Sequence, residues 1–98
     1  MVVGICSVTL ALAENHSLKG KRSVLRSIKD RVRGRFNVSI AEVDDLDSWQ
    51  RATLGVACVA GERAQVERQL AFVATFIEDL RLASVEDVEV EIIAGVPA

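Results

Sequence analysis

Lysine and arginine side chains are the most concentrated chemical groups of the chain. Eight of the twelve Lys and Arg residues lie within residues 19–35, beside a single acid, Asp30, so this window carries a charge of +7. The remaining residues hold four bases and thirteen acids, a charge of −9, which leaves the chain at −2 overall. This asymmetry favours an anionic partner, because cationic side chains bind phosphate through charge-assisted hydrogen bonds.

The spacing of these bases predicts a stripe along one helix. Four of them stand at i, i+4, i+7 and i+11: Arg22, Arg26, Lys29 and Arg33. We expect these four side chains to share one face of the helix, roughly opposite its apolar face. Further bases crowd the predicted helix start, where the macrodipole and free N–H groups favour anions. The predicted anion-binding residues are Lys19, Lys21, Arg22, Arg26, Lys29 and Arg33.

Nucleic acid is the favoured ligand of this stripe, because its length matches several phosphates of a polymer. The alternative is a solvated helix face, bridged to acids such as Asp44, Asp45 and Asp47. Like charges at helical spacing repel each other, and acids are not interleaved with these bases to relieve the repulsion.

Other groups that can do chemistry are sparse. His16 and Ser17 form a pair without an orienting acid, and Ser17 is equally suited to cap a helix. Residues 20–23 lack the upstream glycine of a phosphate loop. The acids of residues 42–47 are predicted to be solvated rather than to bind a metal. We therefore expect no catalytic residue, metal ligand or cofactor, and a small phosphoester or acyl-phosphate hydrolase is the remotest alternative.

Trp49 stands in DDLDSWQRA, between an acidic loop and an apolar strand. Two roles fit a tryptophan at such a place: a plug at the edge of the core, or an anchor in an interface. We expect the plug, with one edge of the indole exposed. Arg51, two residues further on, belongs to the same candidate interface.

Hydrophobic periodicity predicts six elements that position these groups. The predicted strands are 2–13, 36–43, 51–60 and 86–94, and the predicted helices are 18–34 and 66–80. With right-handed crossovers, this order predicts an α+β ferredoxin-like βαββαβ sandwich. It has a four-stranded antiparallel sheet, two helices on one face, and strands one and three at the centre. Ninety-eight residues make one domain, residues 1–98.

Successive side chains of a strand point to opposite faces of the sheet, so every second residue of the predicted strands shares a face. The residues expected to point at the helices are Leu54, Val56, Cys58, Val88, Val90 and Ile92. The opposite face then holds Val3, Ile5, Ser7, Thr9, Thr53, Gly55, Ala57 and Val59. Contiguous apolar patches on a monomer are usually covered. The alternative function is therefore an interaction module, a homodimer formed through Val3, Ile5, Thr53 and Ala57.

Composition argues against several other classes of protein. Two cysteines, Cys6 and Cys58, are too few for a disulfide scaffold and are predicted to be reduced core thiols. The apolar run at 2–13 lacks the basic flank of a signal peptide. It is also too short to cross a bilayer as a helix, which takes about 20 residues. The central strands lack the aromatic residues on which RNA-recognition motifs stack bases. We expect a cytoplasmic protein with no membrane partner.

Longer strings of the sequence resemble a known family. HSLKGKRSVLRSIKDRVRGRFNVSIAEVDDLDSWQRATLGVA is similar to the YlxP-like family, domain of unknown function 503, and the likeness runs from MVVGICSVTL to VEVEII. Its most specific parts are SLKGKR, RFNVSIAEV and WQRATLGVA. Gly20 and Gly34 stand where the family usually has polar residues.

The resemblance implies a ferredoxin-like fold and a bacterial cytosolic protein, and it brings no established activity. It also implies a translation setting, because family members tend to be encoded beside genes for translation initiation and ribosome maturation. The residues it carries over are Lys19, Lys21 and Arg22 from SLKGKR, and Trp49 and Arg51 from WQRA. Together, residues and resemblance predict a non-enzymatic protein that binds ribosomal RNA or ribosomal particles through its first helix.

Overall fold

The computed structural model describes residues 1–94 and residue 97. Its elements are β1 (Val2–Ala11), α1 (Leu18–Arg35), β2 (Ser39–Asp44), β3 (Arg51–Ala60), α2 (Arg63–Leu80) and β4 (Ser84–Ile93). The predicted order of strands and helices is confirmed. The first helix passes Gly34 and ends at Arg35, where the N–H of Phe36 donates to the Val32 carbonyl oxygen at 2.8 Å.

The four strands form one antiparallel sheet in the order β2-β3-β1-β4. β1 and β3 lie at the centre, as predicted, because strands that are apolar on both faces are buried most completely there. Cys6 pairs with Val56 and Val8 pairs with Leu54, so these four side chains share the face on which both helices pack. The predicted ferredoxin-like sandwich is confirmed.

The hydrophobic core lies between the sheet and the helices. Its helical part consists of Leu25, Ile28 and Val32 on α1 and Val66, Leu70, Val73 and Ile77 on α2. Glycine is needed at position 4 of β1, because an added Cβ would overlap Cγ1 of Val66. Phe36 and Phe76 pack edge to face with ring centroids 5.4 Å apart, which joins the end of α1 to α2.

Both cysteines are free thiols, and both are buried. Burial raises the pKa of the Cys6 thiol, and the nearby Cys58 raises it further; burial also raises the pKa of the Cys58 thiol. Neutral thiols in an apolar environment are poor nucleophiles and poor metal ligands, so these two residues act as packing groups.

The edge strand β4 is covered less completely than the sequence predicted. Val88 and Val90 pair with Val8 and Cys6, so they do point to the helix side of the sheet. Their side chains are nevertheless 38% and 51% exposed. Among the described elements, α2 packs against β4 and α1 does not reach it. The two valines are therefore edge-strand surface rather than core.

Candidate nucleic-acid interface

The structure corrects the predicted role of Lys21. Its side chain is 2% exposed, and its ammonium Nζ lies 2.8 Å from Glu42 Oε2. Nζ also donates to the carbonyl oxygen of Asp45 at 2.6 Å and to that of Ser48 at 2.8 Å. Of the three N–H donors of the ammonium group, two thus donate to carbonyl oxygens, and its charge is paired with Glu42. Lys21 is a structural residue and is unavailable to an external anion.

Helix geometry explains why Lys21 is buried. It precedes Leu25, Ile28 and Val32 by about one, two and three turns, so it extends the buried stripe of α1. Glu42 pairs with Leu54 and therefore faces the helices from β2. Within the described residues, the buried Oε2 of Glu42 has the Lys21 ion pair and no hydrogen bond besides. Each charge thus compensates the burial of the other.

The β2–β3 loop, residues 45–50, is fixed to the start of α1 along its backbone. Besides the two bonds from the buried lysine, Asn15 Nδ2 donates to the Trp49 carbonyl oxygen at 2.6 Å. The N–H of Leu12 donates to the Gln50 carbonyl oxygen at 2.9 Å. Gln50 Nε2 in turn donates to the carbonyl oxygens of Ala13 and Asn15, both at 3.3 Å. Three successive carbonyl groups of the loop are therefore held from outside it.

Asp45 stabilises this loop and engages two residues of the predicted interface. Its φ of 60° is left-handed, a conformation that aspartate tolerates better than most residues. Its Oδ2 accepts from Thr53 Oγ1 at 2.8 Å and lies 3.3 Å from Arg51 Nε. Arg51 also reaches Glu86 Oε2 at 3.7 Å. Thr53 is buried, so it does not belong to an interface, whereas Arg51 braces the loop from the solvent side.

Trp49 is not the core plug that the sequence predicted. Its side chain is 54% exposed, and Leu46 in the same loop is 59% exposed. The prediction is wrong because Lys21 already fills the buried position behind the loop. The open alternative, an interface anchor, is the role compatible with this exposure.

The basic stripe lies on α1, but on its flank rather than opposite the core; its members are Arg22, Arg26, Lys29 and Arg33. Each member follows a buried residue by one position, which rotates it by about 100° around the helix axis. The flank faces β2, since Arg33 Nη2 donates to the Ile40 carbonyl oxygen at 2.9 Å. Arg33 also lies 3.7 Å from Asp30, so it is partly engaged within the protein.

Four further basic residues of α1 form a surface without ion-pair partners, which we term the α1 cation surface: Lys19, Arg22, Arg26 and Lys29. Lys29 is half-buried and the other three are exposed. Among the described residues, none of the four makes an ion pair. Of the acids expected to neutralise them, Asp45 pairs with Arg51 instead. Asp44 and Asp47 make no ion pair among the described residues.

The start of α1 is capped by the chain itself. Ser17 Oγ accepts the N–H of Gly20 at 3.0 Å, which is the predicted cap. Gly20 also lets Asn15 approach, because an added Cβ would overlap Asn15 Oδ1. His16 is exposed, and within the part of the chain that the structure describes no hydrogen bond joins it to Ser17. The helix start therefore does not assemble a Ser–His catalytic pair.

The acids of residues 42–47 point in different directions, with Glu42 turned toward α1 and Asp45 toward Arg51. Over residues 1–94 and 97, no three His, Cys, Asp or Glu side chains gather where they would hold a metal ion. None of the helices in those residues is both long and apolar enough to cross a bilayer.

The sheet face turned away from the helices is the second candidate surface. Of the residues predicted for a dimer, Ile5 is 41% exposed, while Val3 and Ala57 are half-buried. Val59 is 57% exposed at the margin of this face. Val43 of β2, also 57% exposed, was missed, although the alternation Ile40-Ala41-Glu42-Val43 indicates it.

Val43 projects from the edge strand β2 over the neighbouring strand β3 on this open face. It lies over Gly55, where an added Cβ would stand 2.8 Å from its Cγ1. The surface around it forms a shallow concavity of about 630 Å³, lined on the β1 side by Ile5 and on the β4 side by Glu89 and Glu91. The concavity is apolar at its centre and acidic along one edge.

The element order and sheet order define a ferredoxin-like α+β protein. The family model described as "Protein of unknown function (DUF503)" matches residues 3–90, and the chain belongs to this family. "Uncharacterized protein YlxP" of Bacillus subtilis (strain 168) is 40% identical over 77 residues, which cover 79% of this chain and 84% of that protein. The resemblance carried by SLKGKR, RFNVSIAEV and WQRATLGVA is thus confirmed.

A solved structure shows a similar fold. The crystal structure of a "putative antibiotic biosynthesis monooxygenase" from Deinococcus radiodurans superimposes with a TM-score of 0.52. The match covers 100% of this chain and 95% of that one, at 19% sequence identity. At that identity the likeness establishes the fold alone.

Proposed function

We propose that this chain is a non-enzymatic RNA-binding protein whose α1 cation surface contacts phosphates. The observation that supports the proposal is the α1 cation surface itself, whose four accessible members make no ion pair among the described residues although the net charge of the chain is −2. Like charges at helical spacing repel by a few tenths of a kcal/mol per pair. Phosphate groups replace that repulsion with charge-assisted hydrogen bonds.

A polymer fits the surface better than a single small anion. Lys19 and Lys29 are ten residues apart, which is about 15 Å along the helix axis at 1.5 Å per residue. A nucleic-acid strand carries one phosphate per nucleotide, so a run of nucleotides presents several negative charges over that length, whereas a small anion presents one group. The four cations therefore match a run of phosphates, and ribosomal RNA or its precursors are the target that the family resemblance suggests.

Catalysis does not form part of this proposal. Ser17 Oγ is engaged as the cap of α1, and His16 stands exposed beside it. A phosphoester hydrolase needs a positioned nucleophile or metal and a base near one another. We accordingly propose a binding protein in which RNA shape determines selectivity, because phosphate contacts carry no sequence information directly.

The salt dependence of binding tests the proposal. Anisotropy of a dye-labelled 12-nucleotide single-stranded RNA is measured with the purified chain between about 50 and 200 mM monovalent salt. Four phosphate contacts on a single strand predict a log–log slope near −3, at about −0.7 per contact. Arg26→Gln should reduce the slope by about 0.7, whereas Arg68→Gln, an exposed α2 control, should leave it unchanged. A salt-independent affinity, or equal slopes in both variants, contradicts the proposal.

A homodimer formed through the open sheet face is the second candidate function. The exposure of Ile5, Val43 and Val59 around the concavity favours it, because contiguous apolar surface on a monomer is usually covered. Two copies would also bring two α1 cation surfaces into one assembly. RNA binding does not depend on this association.

Light scattering at micromolar concentration decides whether the dimer forms. We expect twice the chain mass of 10.6 kDa for the unmodified protein, and the monomer mass for Ile5→Asp, which places a charge in the apolar centre. Phe72→Asp is the matched control, since Phe72 is 57% exposed on α2, and it should stay dimeric. A monomer mass for the unmodified chain excludes the dimer.

A further inference from the structure

The backbone that carries Trp49 is unusually well fixed for an exposed loop. The carbonyl oxygens of Ser48, Trp49 and Gln50 accept, in that order, from Lys21 Nζ, Asn15 Nδ2 and the Leu12 N–H. The indole they present is 54% exposed. A large aromatic group on an ordered backbone loses little conformational entropy when it binds, so this loop is pre-organised for a contact.

This loop lies at the start of the α1 cation surface. Asn15 Nδ2 bonds both the Trp49 carbonyl oxygen and, at 2.7 Å, the carbonyl oxygen of Ser17, which caps α1. Lys19 and Arg22 follow in the first turns of that helix, and both are exposed. A nucleic acid whose phosphates lie along α1 therefore passes close to Trp49.

Acids of the same loop limit what part of a nucleic acid reaches the indole. Asp44 and Asp47 are exposed, and neither makes an ion pair within the described residues. Phosphates are repelled from these carboxylates and drawn toward Lys19 and Arg22. An uncharged base meets no such repulsion. A regular duplex exposes its phosphates and keeps its bases stacked inside, so it fits this arrangement poorly.

We infer that Trp49 stacks on an unpaired base of RNA whose phosphates lie along the start of α1, so that the ligand class is single-stranded or looped RNA. The inference rests on the proposed function and names its substrate. Every base has a π-face, so stacking on tryptophan depends little on the base sequence of the RNA. Each stacked base changes the affinity by about 5- to 150-fold. This platform stands on a loop, whereas the described residues of the open sheet face include no aromatic side chain to stack a base.

Trp49 itself is the probe for the test, because the chain has one tryptophan and no tyrosine. A 12-nucleotide oligoadenylate strand and an RNA duplex of equal length are titrated at about 50 mM salt. Single-stranded RNA should quench the Trp49 emission and protect it from acrylamide. The duplex, bound through phosphates alone, should change the emission little.

Variants separate this inference from the proposed function. Trp49→Ala should weaken single-stranded RNA binding roughly 5- to 150-fold, and duplex binding less than about 2-fold. Trp49→Phe should retain most of the affinity, and Phe72→Ala, the removal of an exposed aromatic from α2, should change nothing. RNA that binds without altering the emission, or with equal affinity for Trp49→Ala and Phe72→Ala, overturns the inference alone and leaves Trp49 as a protein contact. The absence of RNA binding in every arm overturns the proposed function as well.

Discussion

Replacement of Lys21 by methionine is expected to lower the free energy of unfolding by about 3–5 kcal/mol, the range seen when one partner of a buried ion pair is removed. The change leaves the Oε2 of Glu42 buried without its cation. It also removes the donor to the carbonyl oxygens of Asp45 and Ser48. Methionine keeps an unbranched apolar stem, so the loss reflects the charge and its hydrogen bonds more than a cavity. Urea denaturation followed by circular dichroism measures the effect.

Two further variants make this result specific. Lys19→Met removes the same charge from an exposed position two residues earlier, and it should shift stability by no more than about 0.5 kcal/mol. Adding Glu42→Met to Lys21→Met should recover part of the loss, because the unpaired carboxylate is then gone. Equal stabilities for the Lys19 and Lys21 variants would show that Lys21 is a surface residue after all.

The fold was predictable because its signals are local and repeated. β1 and β3 are apolar on both faces, β4 alternates acid with apolar residue, and each helix carries an apolar stripe over several turns. Each signal is averaged over many residues, so a misplaced boundary does not alter the order of elements. The cover expected for Val88 and Val90 of β4 was not found, because the extent of helix cover is a tertiary property. Val88 and Val90 lie on the helix side of the sheet, yet both remain exposed.

The site was predictable only in part. Lys21 carried a usable signal, since it stands four residues before Leu25 on the buried stripe, and Glu42 takes the inward position of β2. A lysine on an apolar stripe together with an inward acid indicates a buried pair. Lys21 was predicted to bind an anion because of its charge. The summed charge of residues 19–35 does not distinguish side chains that point inward from those that point outward.

The position of Trp49 had no comparable signal in the sequence. The loop is fixed by bonds from Asn15 and Lys21, which are 34 and 27 residues away from their acceptors. Such long-range bonds to backbone carbonyl groups leave no periodic pattern in either segment. The acidic residues around Trp49 were predicted as a solvated loop, and Asp45 proved instead to brace it through Arg51 and Thr53.

Two groups of cations on α1 thus have different physical roles. Lys21 points inward and stabilises the β2–β3 loop, and Arg33 reaches the Ile40 carbonyl oxygen of β2. The α1 cation surface points outward without acid partners among the described residues. A variant that tests binding should therefore change only the outward group, since a change at Lys21 affects folding and binding together.

Reversal of charge at two outward positions, Arg22→Glu with Arg26→Glu, is expected to weaken RNA binding roughly 30- to 1,000-fold at low salt. Each reversal removes one attraction and adds one repulsion, and a surface charge interaction is worth about 0.5–1 kcal/mol, so four such changes total about 2–4 kcal/mol. Both residues are exposed and make no ion pair among residues that the structure describes. Thermal unfolding should consequently change little.

The control for this variant is Arg63→Glu with Arg68→Glu on α2, which matches it in net charge, although Arg63 is paired with Glu67. Electrophoretic mobility shift of a ribosomal RNA fragment, with both variants at equal ionic strength, separates a local contact from a general charge effect. If the α1 surface binds phosphates, the α2 variant should lose only a few-fold in affinity, because screened charges beyond a Debye length of about 10 Å contribute weakly at 0.1 M salt. Equal losses in the two variants would reduce the interaction to net charge and remove α1 as the binding surface.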